Sequence, residues 1–134
     1  MRVDDALTER IIGCAFAVAN ALGPGFLEKV YENALAHELR KAGLVVTQQQ
    51  DIEVHYDGVL VGRFSADLIV EGAVIVEVKA TREHSDFFTA HCLNYLKATG
   101  KPVCLLINFG KARIDVQRFW NPDMRHVPGI EPTN

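Results

Sequence analysis

An apolar run that ends in charged residues is the feature that most constrains the fold of this chain. Residues 73–76 are short, β-branched and preceded by the turn-forming pair Glu71-Gly72, so they predict a buried β-strand. Side chains two residues apart on a strand share a face, which makes Glu77 and Lys79 point the same way at its end. Charged side chains at the end of a hydrophobic sheet are costly to bury without a function.

A second carboxylate, Asp67, lies near the end of the preceding strand-like segment. A hairpin between the two strands can bring it beside Glu77. Two carboxylates can bind Mg²⁺ or Mn²⁺, with the Val78 carbonyl as a third protein ligand. Such a metal lowers the pKa of a bound water and neutralises charge on a phosphodiester, and Lys79 could hold or activate that water. The alternative is a structural ion pair at the end of the sheet.

Hydrophobic periodicity and turn signals divide the chain into eight elements. The predicted helices span residues 4–22, 28–42 and 85–100, and the predicted strands span 45–56, 59–70, 73–79, 102–108 and 113–119. Asp57-Gly58 is a hairpin signal, and the second strand should bend near Gly62. The order α-α-β-β-β-α-β-β predicts an α/β fold. We expect one domain over residues 1–120 and a poorly ordered, proline-containing tail over 121–134.

Composition excludes several classes of protein. The chain has 134 residues, of which 49% are hydrophobic and 23% charged, enough for a real core. No apolar stretch approaches the ~20 residues of a membrane span, and the acidic N-terminus is unlike a signal peptide, so we expect a cytoplasmic protein with no membrane contact. Cys14, Cys92 and Cys104 lack metal-site spacing and predict buried free thiols.

The net charge is −3 and the pI ≈ 5.9. Strong nonspecific binders of nucleic acid are usually basic, so the charge argues against that class. Any contact with nucleic acid should be weak and strongly salt-dependent. An enzyme that is recruited by a protein partner stays open.

Several motifs together resemble a known family. Residues 25–31, Gly-Phe-Leu-Glu-Lys-Val-Tyr, fit the signature of the bacterial GxxExxY proteins. With the Asp67…Glu77-Val78-Lys79 set, they are similar to the PD-(D/E)XK nuclease superfamily over residues 11–119. The resemblance implies a mixed central sheet flanked by helices and a Mg²⁺-dependent nuclease site of Asp67, Glu77 and Lys79. It also implies that Glu28 supports the metal. Alternatively, Glu28 only stabilises the start of its helix by interacting with the helix dipole.

This chain departs from the pattern of the family at three positions. His91 and Tyr95 share a helix face, and related proteins tend to have glutamine at the first position, where it orients the lysine or the phosphate. His91 could do so through a ring N–H, or it could be a merely packed histidine. Relatives also often have histidine where this chain has Ala19, and Ala66 replaces the nominal proline.

The leading hypothesis is a metal-dependent phosphodiesterase that acts on nucleic acid, with DNA favoured over RNA. In it Asp67, Glu77 and Lys79 are catalytic, and His91 or Tyr95 orients groups. Paired cuts would need a symmetric homodimer, which exposed apolar residues make plausible. The alternative is a catalytically silent module that retains the nuclease fold and binds nucleic acid or protein. Tyr31 fits either the core or the surroundings of the site.

Overall fold

The computed structural model describes residues 5–83 and 86–124 of the chain. Within them the elements are α1 (Asp5–Leu22), α2 (Glu28–Lys41), β1 (Val46–Tyr56), β2 (Val59–Val70), β3 (Val74–Lys79), α3 (Asp86–Thr99), β4 (Val103–Asn108), β5 (Asp115–Trp120) and a short 3₁₀ helix (Pro122–Met124). The predicted order is confirmed, and the ends of the helices and strands agree to within two residues. Ser85, expected to begin α3, lies outside the described residues.

The five strands form one mixed sheet in the order β1-β2-β3-β4-β5. β1, β2 and β3 are joined antiparallel, as are β4 and β5, whereas β3 and β4 run parallel. A parallel pair needs a crossover connection, and α3 supplies it. The two apolar runs become the central strands β3 and β4, which are buried along almost their whole length. The predicted α/β fold with a mixed central sheet is therefore confirmed.

Helices cover both faces of the sheet. On one face, which we call the α1–α2 face, the buried stripes of the first two helices pack on β2, β3 and β4; its core includes Ile11, Leu35, Leu68 and Val76. On the opposite α3 face the core includes Ile75, Cys92, Leu96 and Cys104. Cys92 and Cys104 are buried free thiols as expected, but Cys14 is only partly buried.

The β1–β2 hairpin follows its sequence signal. Asp57 and Gly58 have φ angles of 53° and 76°, the backbone that a two-residue type I′ turn requires. The register between the strands shifts between Val54 and His55, opposite Gly62. This irregularity accounts for the bend expected near Gly62.

The first residue of the expected tail is packed. Asn121 is buried, and its side-chain amide donates to the carbonyl oxygens of Leu96 at 3.0 Å and Lys101 at 2.9 Å. Residues 125–134 of the expected tail lie outside the described residues. Among the helices that are described, none is long and apolar enough to cross a membrane.

Candidate active site

β2 and β3 separate at the position of the paired carboxylates. Their ladder has three residue pairs, from Val70↔Val74 to Leu68↔Val76. Beyond it, Asp67 Oδ2 accepts the Val78 N–H at 2.9 Å, and Glu77 Oε1 accepts the Asp67 N–H at 3.3 Å. Each carboxylate thus bonds a backbone N–H near the point where the ladder stops. The hairpin brings Asp67 beside Glu77, as the sequence predicted.

Glu77 is the more deeply buried of the two carboxylates. It is 5% exposed, whereas Asp67 is half-buried. Burial and the neighbouring Asp67 carboxylate raise the pKa of Glu77 to about 9, against the lowering effects of the Asp67 backbone hydrogen bond and the Lys79 ammonium. Glu77 therefore carries a proton at neutral pH in the metal-free protein.

Lys79 shares the strand face of Glu77 but, in the described chain, forms no ion pair with the two carboxylates. Its Nζ lies 5.0 Å from the centre of the Phe88 ring on α3, a cation–π distance. Within residues 5–83 and 86–124 it forms no ion pair within 4 Å of Asp67 or Glu77. The ammonium thus lies beside the carboxylates without being bonded to them.

The loops after β3 and β4 hold the chain immediately beyond Lys79. Asn108 Oδ1 accepts the N–H groups of Thr81 at 3.1 Å and Gly110 at 2.9 Å, and its Nδ2 donates to the Thr81 carbonyl at 2.9 Å. The Phe109 N–H donates to the Lys79 carbonyl at 2.8 Å. A Cβ on Gly110 would overlap the backbone of Thr81. Only glycine lets the two loops approach this closely.

The 25–31 motif positions Glu28 at the start of α2. Gly25 has a φ of +114°, a conformation that favours glycine. Tyr31 is fully buried, stacks on Phe109 at 4.8 Å, and its hydroxyl donates to the Gly23 carbonyl. Tyr31 therefore belongs to the core and anchors the turn that precedes the helix, rather than lining the site.

Glu28 itself lies within electrostatic reach of Asp67 and Lys79. Partial burial and the negative charges of Asp67 and Glu32 raise its pKa, whereas the Lys79 ammonium lowers it. The interaction with both Asp67 and Lys79 places Glu28 in the same electrostatic environment as the β3 residues. In the first turn of α2, its negative charge also interacts favourably with the helix dipole. Metal support and helix stabilisation are therefore compatible interpretations.

Tyr95 and His91 lie on α3, on the other side of the carboxylates. Tyr95 stacks on Phe64 at 4.2 Å, and burial together with the charges of Glu77 and Asp67 raises its pKa to about 12. Its hydroxyl therefore stays protonated at neutral pH. The ring contacts of His91 are with Phe87 at 4.2 Å and Tyr95 at 5.8 Å, which makes it a packed residue next to Tyr95.

Comparison with known proteins identifies the superfamily and a similar fold. The family model of the PD-(D/E)XK nuclease superfamily matches residues 5–119. The chain belongs to this superfamily. An alkaline exonuclease from Laribacter hongkongensis has a similar fold, with a TM-score of 0.53 and 15% identity, over 71% of this chain and 56% of that one. The match thus spans little more than half of the exonuclease. No curated protein matches the sequence.

Two polar residues near the candidate site, Glu32 and Gln49, were not predicted from the sequence. Glu32 is 3% exposed on α2 and accepts hydrogen bonds from Lys29, Gln48 and Gln49. Gln49 Nε2 also donates to Asp67 Oδ1 at 3.3 Å. The poor alternation at the start of β1 was the available signal, since three successive glutamines occupy residues 48–50.

The strands exchange faces around Gln49. Leu68 packs in the core of the α1–α2 face, but Ala66, two residues before it, packs in the core of the α3 face. β1 makes the same exchange between Val46 and Ile52. Residues two apart share a face in a regular strand, so both strands are rotated here, beside the candidate site.

The donor chemistry of the site fits a hard divalent cation. Asp67, Glu77 and the Val78 carbonyl offer oxygen atoms only, which Mg²⁺ and Mn²⁺ prefer. In the described part of the chain, however, no three His, Cys, Asp or Glu side chains are already gathered as a metal-binding group. Binding of a cation would therefore require Glu77 to lose its proton and Glu28 to move closer to the pair.

Proposed function

We propose that this protein is a divalent-metal-dependent nuclease that hydrolyses phosphodiester bonds, with DNA favoured over RNA. The observation that carries the proposal is the pairing of Asp67 and Glu77 where β2 and β3 separate, with Lys79 on the same strand. Membership of the nuclease superfamily supports this assignment. We further propose that the chain is of the GxxExxY type, on the motif at residues 25–31.

Each residue of the site has a proposed role. Asp67, Glu77 and the Val78 carbonyl would hold Mg²⁺ or Mn²⁺, and Glu28 would support it from α2. The ion would supply an activated water and neutralise charge on the phosphate. Lys79, not ion-paired to either carboxylate, would hold the attacking water or stabilise the developing negative charge.

Groups on α3 would complete the site. The Tyr95 hydroxyl stays protonated near Asp67 and Glu77, so it would donate a hydrogen bond to the substrate or to a carboxylate and not act as a base. His91 packs on the Tyr95 ring and would orient it. This role for His91 replaces a direct contact with Lys79.

Binding of nucleic acid should be weak. Two of the basic residues near the loops are already engaged: Lys101 donates to the Gly72 carbonyl at 2.7 Å and Lys111 pairs with Asp115 at 3.6 Å. The net charge is −3, so few phosphates can be neutralised, and the weak electrostatic affinity that they provide should be lost as salt is raised. Recruitment by a protein partner, or formation of a homodimer, would compensate for this weak binding. We also propose that the protein is cytoplasmic.

A second candidate is a catalytically silent module that binds nucleic acid or protein. The protonated state of Glu77, with a pKa of about 9, favours it, because a neutral carboxyl is a poor metal ligand. Metal affinity separates the two candidates. A silent module would bind no Mn²⁺ at the Asp67–Glu77 pair.

The test is a cleavage assay with matched variants. Labelled single- and double-stranded DNA and RNA are incubated at low salt with Mn²⁺, Mg²⁺ or EDTA. Asp67→Asn and Lys79→Ala should each lower metal-dependent cleavage by about 100-fold or more, the loss typical of a group that stabilises transition-state charge. Asp51→Asn is the matched control, because Asp51 lies on the same hairpin and contacts Ser65 instead of the site.

Three results would overturn the proposal. Cleavage that persists in EDTA would exclude metal dependence. Cleavage that the Asp67 and Lys79 variants retain would mark a contaminant. Absence of cleavage, together with absence of Mn²⁺ binding, would favour the silent module.

A further inference from the structure

Gln49 has an unusual backbone for a residue inside a strand. Its φ is 52°, in the left-handed region that non-glycine residues seldom occupy and that tends to be kept at functional positions. The neighbouring ladder pairs are Gln48↔Leu68 and Gln50↔Ala66, so Gln49 lies opposite Asp67. The strained residue and the candidate metal ligand therefore face each other across the β1–β2 ladder.

This backbone conformation turns two successive side chains toward one acceptor. Neighbouring side chains on a strand point to opposite faces. Here Gln48 Nε2 donates to Glu32 Oε2 at 2.9 Å, and Gln49 Nε2 donates to Glu32 Oε1 at 2.8 Å. Both glutamine amides thus reach the same carboxylate on α2.

Glu32 is a firm anchor for the Gln49 amide. It is 3% exposed, and the Lys29 ammonium bonds both of its oxygens at 3.1 and 3.2 Å. A glutamine amide nitrogen has two N–H groups. One is engaged by Glu32, and the other is directed at Asp67 Oδ1 at 3.3 Å.

The two oxygens of Asp67 are consequently held from two sides. Oδ2 accepts the Val78 N–H at 2.9 Å, and Oδ1 accepts from Gln49. These bonds set the plane of the carboxylate and leave each oxygen a further lone pair. Hydrogen bonds to a ligating carboxylate typically orient it for its metal.

We propose that Gln49 is a positioning residue that, anchored by buried Glu32, orients Asp67 for binding a divalent cation. This inference rests on the proposed metal site and extends it to a residue on a third strand. It explains why a strained conformation is kept at this point of β1.

The test measures Mn²⁺ binding by titration calorimetry, independently of cleavage. Gln49→Ala and Gln49→Gly should weaken Mn²⁺ binding by about 10-fold or more, as for loss of outer partners of metal ligands. Gln49→Gly also relieves the backbone strain, so the fold should be retained while the site is impaired. Gln48→Ala is the matched control: it removes a bond to the same Glu32 but does not touch Asp67, and its Mn²⁺ affinity should equal that of the wild type.

The outcomes separate this inference from the proposed function. Asp67→Asn should abolish the binding heat, which assigns the heat to the site, and excess Mn²⁺ should restore cleavage by the Gln49 variants. If the wild type binds Mn²⁺ and Gln49→Gly binds it equally well, the positioning role is wrong and the metal site stands. If Gln48→Ala weakens binding as much as Gln49→Ala, the effect is structural and the positioning role is also wrong. If the wild type binds no Mn²⁺, the metal site itself fails, and the role of Gln49 fails with it.

Discussion

The two ends of β3 have opposite tasks. Over Val74–Val76 the strand is paired on both sides and fully buried. From Glu77 onward it keeps its pairing with β4, but side-chain carboxylates lie where the ladder with β2 has ended. The first end provides burial and hydrogen bonding that stabilise the fold. In the proposed site, the second end would provide metal ligands and charge at some cost in stability.

Ile75 and Glu77 test this contrast on one strand face. Ile75 is fully buried, so Ile75→Ala should lower the free energy of unfolding by about 2–5 kcal/mol. Urea denaturation, monitored by circular dichroism, measures the loss. A cost no greater than that of a surface substitution would mean that the apolar end of β3 does not stabilise the fold as described.

Glu77→Gln should have the opposite effect at alkaline pH. The folded pKa of Glu77 is about 9, against 4.5 for an unperturbed glutamate, so between these values the folded state retains a proton that the unfolded state has lost. The metal-free wild type should therefore lose stability as pH rises, by about 1.4 kcal/mol per pH unit. Glutamine does not titrate and can still accept the Asp67 N–H, so the variant should show a flatter profile and exceed the wild type at pH 8.

Denaturation in EDTA at pH 6 and pH 8 measures that difference. The groups that act on Glu77 are Asp67, Lys79 and Cys92, and all three are present in both proteins. Parallel pH profiles for wild type and Glu77→Gln would show that Glu77 is ionised in the fold, and the contrast between the strand ends would lose its electrostatic basis.

Gly110→Ala probes the loops that hold the chain beyond Lys79. The added Cβ would overlap the Thr81 backbone, so the variant should lose about 1–3 kcal/mol of stability and much of its cleavage activity. Gly13→Ala on α1 is the control, because a Cβ there meets nothing within 4 Å and should stabilise the helix by about 0.5–1 kcal/mol. Equal effects of the two substitutions on stability and cleavage would show that the contact between the two loops is not important.

Tyr95→Phe should have the smallest effect. The stability should change by about 1 kcal/mol or less, because phenylalanine keeps the ring stacking on Phe64. Cleavage should fall by about 10-fold, as for an outer partner of a metal site, with an unchanged pH profile because the pKa of Tyr95 is about 12. Tyr56→Phe, at an exposed hairpin position, should change neither quantity. A profile that shifts would mean that Tyr95 titrates during the reaction.

Local patterns in the sequence were sufficient to predict the helices and strands and their order, whereas the mixed central sheet was implied by the family resemblance. The two apolar runs became β3 and β4, and Asp57-Gly58 formed the expected turn. The proximity of Asp67 and Glu77 also followed, since a hairpin and a period of two place them together. These predictions succeed because each depends on residues close in sequence.

Other parts of the site depend on contacts that no local pattern contains. Gln49 bonds Glu32 and Asp67, which are 17 and 18 residues away in sequence. These bonds depend on a positive φ angle that a glutamine in the sequence does not predict. Tyr31 could be core or site until its hydroxyl was seen to bond the preceding turn. The closeness of Gly110 to the loop after β3 likewise depends on tertiary approach of two chain segments.

The central claim is that the carboxylates at the separated end of β2 and β3 hydrolyse phosphodiester bonds with a divalent metal. The most direct measurement is Mn²⁺-dependent cleavage of labelled DNA by wild type, Asp67→Asn and Asp51→Asn, each shown to be folded. We expect cleavage by the wild type and Asp51→Asn that EDTA abolishes, and loss of about 100-fold or more in Asp67→Asn. Equal cleavage by Asp67→Asn and Asp51→Asn would contradict it.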